Sequence, residues 1–194
     1  MKTKTRSTQW WDLVRFAVLV RIGVILWTII TDRLVTNYDT STFSPHASSH
    51  QQSPNSSVRS LQCLHDSLQA FSHWDGIYFL RIAKMGFYEY EHFHAFFPLY
   101  PICIRWVSQL FISPVLSLLL FGGITATTVA SDYSDITILV EDTSLMLSGF
   151  LISNLCFITS VLFMFWLTRQ LFTERVAIHT ARIYAVNPAS IFMS

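Results

Sequence analysis

Residues 13–30 read LVRFAVLVRIGVILWTII. A run of about 18–20 apolar residues is long enough to cross a hydrocarbon core of about 30 Å as a helix. Lys2, Lys4 and Arg6 precede it. A basic start before an apolar centre also marks a cleaved signal peptide, but Arg21 interrupts the centre and no small-x-small site follows Ile30. A retained span is therefore expected. Arg15 lies close enough to the basic end to snorkel. Arg21 lies deeper, so its guanidinium must face protein, water or a lipid phosphate rather than acyl chains.

Composition agrees with that reading. Of 194 residues, 52% are hydrophobic and only 13% charged, about half the ~25% charge of an ordinary soluble domain. Sixteen Phe, six Trp and seven Tyr exclude disorder for most of the chain. A net charge of +1 with no basic run gives nucleic acid no electrostatic footprint. Cys63, Cys103 and Cys156 lack metal spacing and cannot build a disulfide framework. The chain reads as a helical membrane protein.

Working outward, residues 1–12 form a basic N-terminus, expected to be cytoplasmic by the positive-inside rule, and 13–31 the first span. Residues 32–97 form a polar loop on the opposite side, partly disordered from Asp32 to Gln69, where Ser, Asn, Gln, Pro45 and Pro54 accumulate. Asn55-Ser56-Ser57 fits a glycosylation sequon, so Asn55 is a glycosylation candidate if this loop is luminal. Within the loop, residues 72–85 (SHWDGIYFLRIAKM) place Trp74, Ile77, Tyr78, Ile82 and Met85 at helical spacing. That predicts a short interfacial helix, too short and too charged to cross. A second span is expected at 98–121, kinked at Pro114, then an acidic polar loop at 122–144 and a third span at 145–167. A loop over 168–182 precedes an apolar run that stops at Ser194, read as the start of a truncated fourth span. Counting spans puts the acidic 122–144 loop in the cytoplasm and the Arg-bearing 168–182 loop outside, against the positive-inside rule, so their sides stay open.

Reactive side chains concentrate at His73, Asp75, Arg81, Lys84, Glu89, Glu91, His92 and His94. Asp75 has two compatible readings. Ser72-His73-Trp74-Asp75 matches a capping box; equally, a carboxylate at a membrane boundary can act as general base toward a sugar hydroxyl. With a phosphate as leaving group, one carboxylate suffices for inverting transfer, unlike the pair in glycoside hydrolases. Arg81, Lys84, His92 and His94 can hold a phosphate by charge-assisted hydrogen bonds, or can simply meet lipid headgroups. His92-x-His94 with Asp75 or Glu91 has no distinctive ligand spacing, so no metal is expected. There is no Gly-rich phosphate loop and no nucleophile elbow.

Phe71 to Ala83, followed by Gly86-Phe87-Tyr88 and Glu91-His92, resembles the W-D-x-x-Y-F-x-x-I-A, G-Y and E-H signature of the PIG-V family, the GPI mannosyltransferase 2 family of C-type glycosyltransferases. Ala95-Phe96-Phe97-Pro98-Leu99-Tyr100-Pro101 looks like that family's A-F-F-P-x-x-P motif, and Asn187-Pro188-Ala189-Ser190-Ile191-Phe192 its N-P-A-S-I-F motif. The Arg-bearing first span is similar too. The resemblance implies an all-α membrane protein, a multi-span bundle of the C-type (GT-C) kind represented by an N-terminal piece, with the interfacial helix in the first luminal loop. It implies residence in the endoplasmic-reticulum membrane and transfer of the second, α-1,6-linked mannose to the glycosylphosphatidylinositol (GPI) precursor. Dolichol-phosphate mannose would be the donor, with no cofactor. The first-loop acid taken as base maps onto Asp75. His73, Trp74, Arg81, Glu91, His92 and His94 become the substrate-binding candidates. Expected partners are the lipid-linked donor, the GPI precursor and membrane lipids, with a small membrane-protein partner unidentified. Segment 122–144 matches no part of the family pattern and reads as an insertion or a gene-model artefact; a chain cut in its fourth span is expected to be inactive alone.

Three other readings compete. A transporter should pair ionisable residues in mid-span, whereas here they gather in a loop. A lipid-binding module needs only the amphipathic helix and leaves Asn187-Pro188 unexplained. A non-catalytic fragment or assembly subunit differs from the enzyme only by assay.

Overall fold

A computed structural model describes residues 6–35, 56–72, 75–121 and 130–187. Among the described residues the secondary structure is helical and contains no strand. Among the described residues, three segments are long and apolar enough to cross a bilayer: Trp10–Leu34, Leu99–Leu120 and Ile136–Leu171. The chain divides into two compact units, Met1–Leu34 with Ser153–Ser194, and Val35–Ile152.

The first unit is built from α1 (Arg6–Leu34), the later part of α6 (Ala130–Leu171) and α7 (Glu174–Val186). Leu13 and Ala17 of α1 pack with Phe157, Val161 and Phe165 of α6 and with Ala177, Ala181 and Ala185 of α7. The alanines recur every fourth residue, so a row of methyl groups runs along α7 and allows close approach, with Ile178 and Tyr184 packing beside it. Trp10 adds an edge-to-face contact with Phe165 at 5.1 Å. Lipid tails are as apolar as Leu, so association between spans rests on close packing and polar bonds rather than on water exclusion. Arg21 supplies both. It is 2% exposed, donates from Nε to Asn154 Oδ1 at 2.8 Å, and lies 4.5 Å over the Phe157 ring. Of the surroundings left open for Arg21, protein is the one the structure shows, whereas Arg15 is exposed.

The second unit holds α2 (Ser56–Gln69), α3 (Asp75–Met85), a 3₁₀ turn (Glu91–Ala95), α4 (Leu99–Val107), a π turn (Ser108–Ile112), α5 (Ser113–Phe121) and the first part of α6. The α4–α5 span carries its irregularity just before Pro114. Proline has no N–H and its ring crowds the carbonyl four residues back, so the chain widens by one residue. The Ser113 N–H accordingly reaches the Ser108 carbonyl, five residues away. Ser108 and Ser144 then pair their hydroxyls at 2.7 Å, and the Tyr100 hydroxyl donates to the Gly149 carbonyl at 3.1 Å. These contacts set α4 antiparallel to α6.

The helix boundaries differ from the sequence reading in four places. Residues 32–69, read as loop, contain α2, which presents Val58, Leu61, His65 and Leu68 on one buried face. Leu61 meets Leu120 and Val140, and His65 Nδ1 lies 3.1 Å from Thr143 Oγ1. Burial pushes the His65 imidazole below its ordinary pKa, with Asp142 and then Asp66 pulling the other way. Residues 122–144, read as polar loop, are helical from Ala130 onward, because Ile136, Leu139 and Val140 find apolar partners in α2 and α5. Ser72, read as the first residue of the interfacial helix, is a bend, the described helix is Asp75–Met85, and Ile82 and Ala83 are buried against protein. Residues 168–182, read as a loop before a new span, give way to α7, which crosses the expected boundary at 183.

Candidate functional site

Gly76 explains how α2 hands the chain to α3. A Cβ at this position would stand 3.3 Å from the Phe71 carbonyl oxygen, a backbone atom that cannot swing aside. The preceding turn is closed by Phe71 N–H to Leu68 O at 3.0 Å and Ser72 N–H to Gln69 O at 2.9 Å. The Ser72 hydroxyl also donates to the Gln69 carbonyl at 2.9 Å. Asp75 lies in the first turn of α3. Among the described residues, no hydrogen bond joins Ser72 to Asp75; both Ser72 bonds go to Gln69. Asp75 is exposed, at the positive end of the helix dipole, where a carboxylate is favoured.

The other end of α3 is held by two residues that the sequence reading did not assign to the site. Gly86 adopts φ +81° and returns its N–H to the Ile82 carbonyl at 2.8 Å, the left-handed C-terminal closure that glycine supplies without steric cost. Arg105 of α4 donates from Nη1 to the Ala83 and Lys84 carbonyls, each at 3.0 Å. A cation thus satisfies orphan carbonyls at the negative helix end.

Between these ends, α3 projects Tyr78 and Phe79 onto the segment that enters α4. Tyr78 stacks on Phe96 at 5.0 Å and 18° and meets Phe93 edge-on at 5.5 Å. Phe79 meets Phe96 at 5.1 Å and Tyr100 at 5.2 Å. Phe93 is fully buried at the centre. Pro101, in the first turn of α4, loses no internal hydrogen bond by lacking an N–H. Tyr78 and Phe79 of α3 and Phe93, Phe96 and Tyr100 of the following segment are therefore one packed aromatic body.

The candidate cations are already engaged. Arg81 forks onto Glu89, Nε to Oε2 and Nη2 to Oε1. That hydrogen bond holds the Glu89 carboxyl below its usual range and raises Arg81. Lys84 Nζ bonds Asp142 Oδ1 at 2.5 Å, joining α3 to α6. Glu91, His92 and His94 lie exposed on the 3₁₀ turn. His92 stacks on Tyr90 at 5.6 Å and His94 leans on Tyr88 at 4.5 Å. Among the described residues, no group of three His, Cys, Asp or Glu converges as a metal site. His73, Trp74 and Asn55 lie outside the described residues, as does the run from Pro188 onward.

Comparison with known proteins bears on the same stretches. The family described as Mannosyltransferase (PIG-V) matches residues 10–194. GPI mannosyltransferase 2 of Drosophila melanogaster is 27% identical over 183 residues, covering 94% of this chain and 35% of its own length. GPI mannosyltransferase 2 of Drosophila pseudoobscura pseudoobscura is 33% identical over 129 residues, 66% of this chain and 24% of its own. The human GPI alpha-1,6-mannosyltransferase 2 is 32% identical over 120 residues, 62% of this chain and 23% of its own. The chain thus spans about a quarter to a third of these relatives. No solved structure matches it. The match runs from the first apolar helix through the aromatic body to the last residue, and the chain belongs to the PIG-V mannosyltransferase family.

Proposed function

We propose that this protein acts in the endoplasmic-reticulum membrane as a mannosyltransferase of GPI-anchor synthesis. It would take mannose from dolichol-phosphate mannose and attach it in α-1,6 linkage, as the second mannose, to the GPI precursor. The supporting observation is the exposed Asp75 carboxylate in the first turn of a short helix, held by an aromatic body next to a span, in a PIG-V family chain. In the reaction, the bond from the mannose C1 to the donor phosphate breaks and the phosphate leaves with the electron pair. The acceptor hydroxyl oxygen forms the new bond to C1 with inversion, and its proton passes to the Asp75 carboxylate. A phosphate leaves as a stable anion, so no protein acid has to protonate it. His73, Trp74, Glu91, His92 and His94 are the groups proposed to contact the lipid-linked substrates. Arg81 gives Nε and Nη2 to Glu89, so it would reach the donor phosphate through the other edge of its guanidinium or by exchanging Glu89 for it.

Microsomes from cells lacking the endogenous second mannosyltransferase, expressing the whole protein rather than residues 1–194 alone and given labelled dolichol-phosphate mannose, should form a GPI precursor with two mannoses. A well-inserted protein that leaves the precursor at one mannose would favour a non-catalytic membrane subunit instead.

The same reading orients the chain with the segment between α1 and α3 in the lumen. In microsomes, Asn55 should then carry an endoglycosidase-sensitive glycan, and Asn55→Gln should abolish the mobility shift. Cleavage at this segment by protease added outside sealed microsomes would reverse the orientation.

A further inference from the structure

A cavity of about 260 Å³ opens at the end of α3 remote from Asp75, bounded by α3, the π turn and α6, with Lys84, Arg105, Gln109, Ser113, Glu141 and Ser144 among its lining residues. Arg105 and Glu141 belong to segments long and apolar enough to span the membrane, where an ionisable side chain is costly and marks a site by default. Their charges are not cancelled by one another: among the described residues, the ion pairs of this unit join Arg81 to Glu89 and Lys84 to Asp142. Arg105 spends Nη1 on the two α3 carbonyls, which leaves the other edge of its guanidinium as donor. Glu141 stands three and four residues before Ser144 and Leu145, on the same face of α6 that lines the cavity.

The balance of charge selects the occupant. Lys84 is neutralised by Asp142, so the cavity offers one guanidinium and one carboxylate. A simple anion would be drawn to Arg105 and repelled by Glu141; a simple amine would meet the reverse. A molecule carrying a phosphodiester and a primary ammonium a few bonds apart satisfies both. We propose that this cavity binds a phosphoethanolamine group, its phosphate on Arg105 with help from the Ser113 hydroxyl and its ammonium on Glu141. The site lies at the opposite end of α3 from the candidate base and requires no part of the transfer reaction.

The test uses the full chain in a maltoside detergent, with glycerophosphoethanolamine, glycerol 3-phosphate and ethanolamine as probes in calorimetric titrations. Glycerophosphoethanolamine should bind at least about 10-fold more tightly than either single-charge probe, the advantage of one further charge-assisted hydrogen bond. Glu141→Gln should weaken glycerophosphoethanolamine and strengthen glycerol 3-phosphate, a crossover that loss of folding cannot imitate. Ser113→Leu, which fills the cavity, should abolish binding of both while helical content by circular dichroism stays unchanged. Equal binding of glycerol 3-phosphate and glycerophosphoethanolamine by the unmodified protein would overturn the proposal, as would a Glu141→Gln protein with unaltered preference. Displacement of the bound probe by phosphatidylethanolamine in mixed micelles identifies a bilayer lipid as the source. Retention of the probe identifies phosphoethanolamine carried by another molecule.

Discussion

Asp75→Asn in the whole protein should lower mannose transfer at least about 100-fold, the lower end of what general-base catalysis contributes. The substitution removes the proton acceptor and little else. Asn has nearly the same shape, and among the described residues no hydrogen bond or ion pair reaches the exposed Asp75 carboxylate. Its remaining role is electrostatic, at the positive end of the α3 dipole, typically about 0.3–1 kcal/mol. Abundance, membrane insertion and helical content should therefore stay near those of the unmodified protein while turnover collapses. The measurement is two-mannose product per unit of immunodetected protein in microsomes lacking endogenous activity. Near-normal product formation by a well-expressed Asp75→Asn protein would remove Asp75 from the mechanism.

Gly86→Ala should destabilise the second unit by about 2.5–5 kcal/mol with one Arg105 bond lost, from two separable causes. An alanine at φ +81° pays the left-handed penalty, about 1–2 kcal/mol. Its Cβ would also stand 2.6 Å from Arg105 Nη1, the nitrogen that bonds the Ala83 and Lys84 carbonyls. A free guanidinium would swing away at little cost. This one must break hydrogen bonds to do so, each worth roughly 1.5–3 kcal/mol when a charge is involved. Gly86→Ala should lower the thermal midpoint in detergent and raise amide exchange across α3. In an Arg105→Ala background the clash term disappears, so the added cost of Gly86→Ala should fall to the backbone penalty alone. Equal costs in both backgrounds would show that the guanidinium contributes nothing to the closure.

The spans and the interior were unequally legible in the sequence. The run at 13–30 is mostly apolar and has no proline, so its length alone predicts a crossing; for Arg21 the sequence excludes acyl chains but does not choose between protein, water and a lipid phosphate, and the choice rests on Asn154, 133 residues away. The adjacent acids Glu141 and Asp142 made 122–144 look like loop. Lys84, 58 residues away in sequence, cancels one of them, and no local pattern announces that. The same blind spot affects the site. Arg81 and Lys84 read as phosphate ligands because their carboxylate partners become neighbours only on folding. In α2 the apolar face was present in the spacing of Val58, Leu61 and Leu68, but the Ser- and Pro-rich stretch before it diluted the signal. The aromatic body was half legible. Both motifs were recognised, while the stacking of Tyr78 on Phe96 required the turn at Gly86 to bring them together.

That turn gives the site a leverage not apparent from its residues alone. Helix α3 has 11 residues and so is about 16 Å long, clamped at one end by Gly86 and Arg105 and carrying Asp75 at the other. A rotation of roughly 4° at the clamp moves the far end by about 1 Å, a displacement that can cost roughly 100-fold in rate when reacting groups must meet. Tolerance at Asp75 is then set by an angle fixed at the distant end of a stiff arm. Substitutions around Arg105 too mild to unfold anything should register as slow turnover with undiminished substrate affinity.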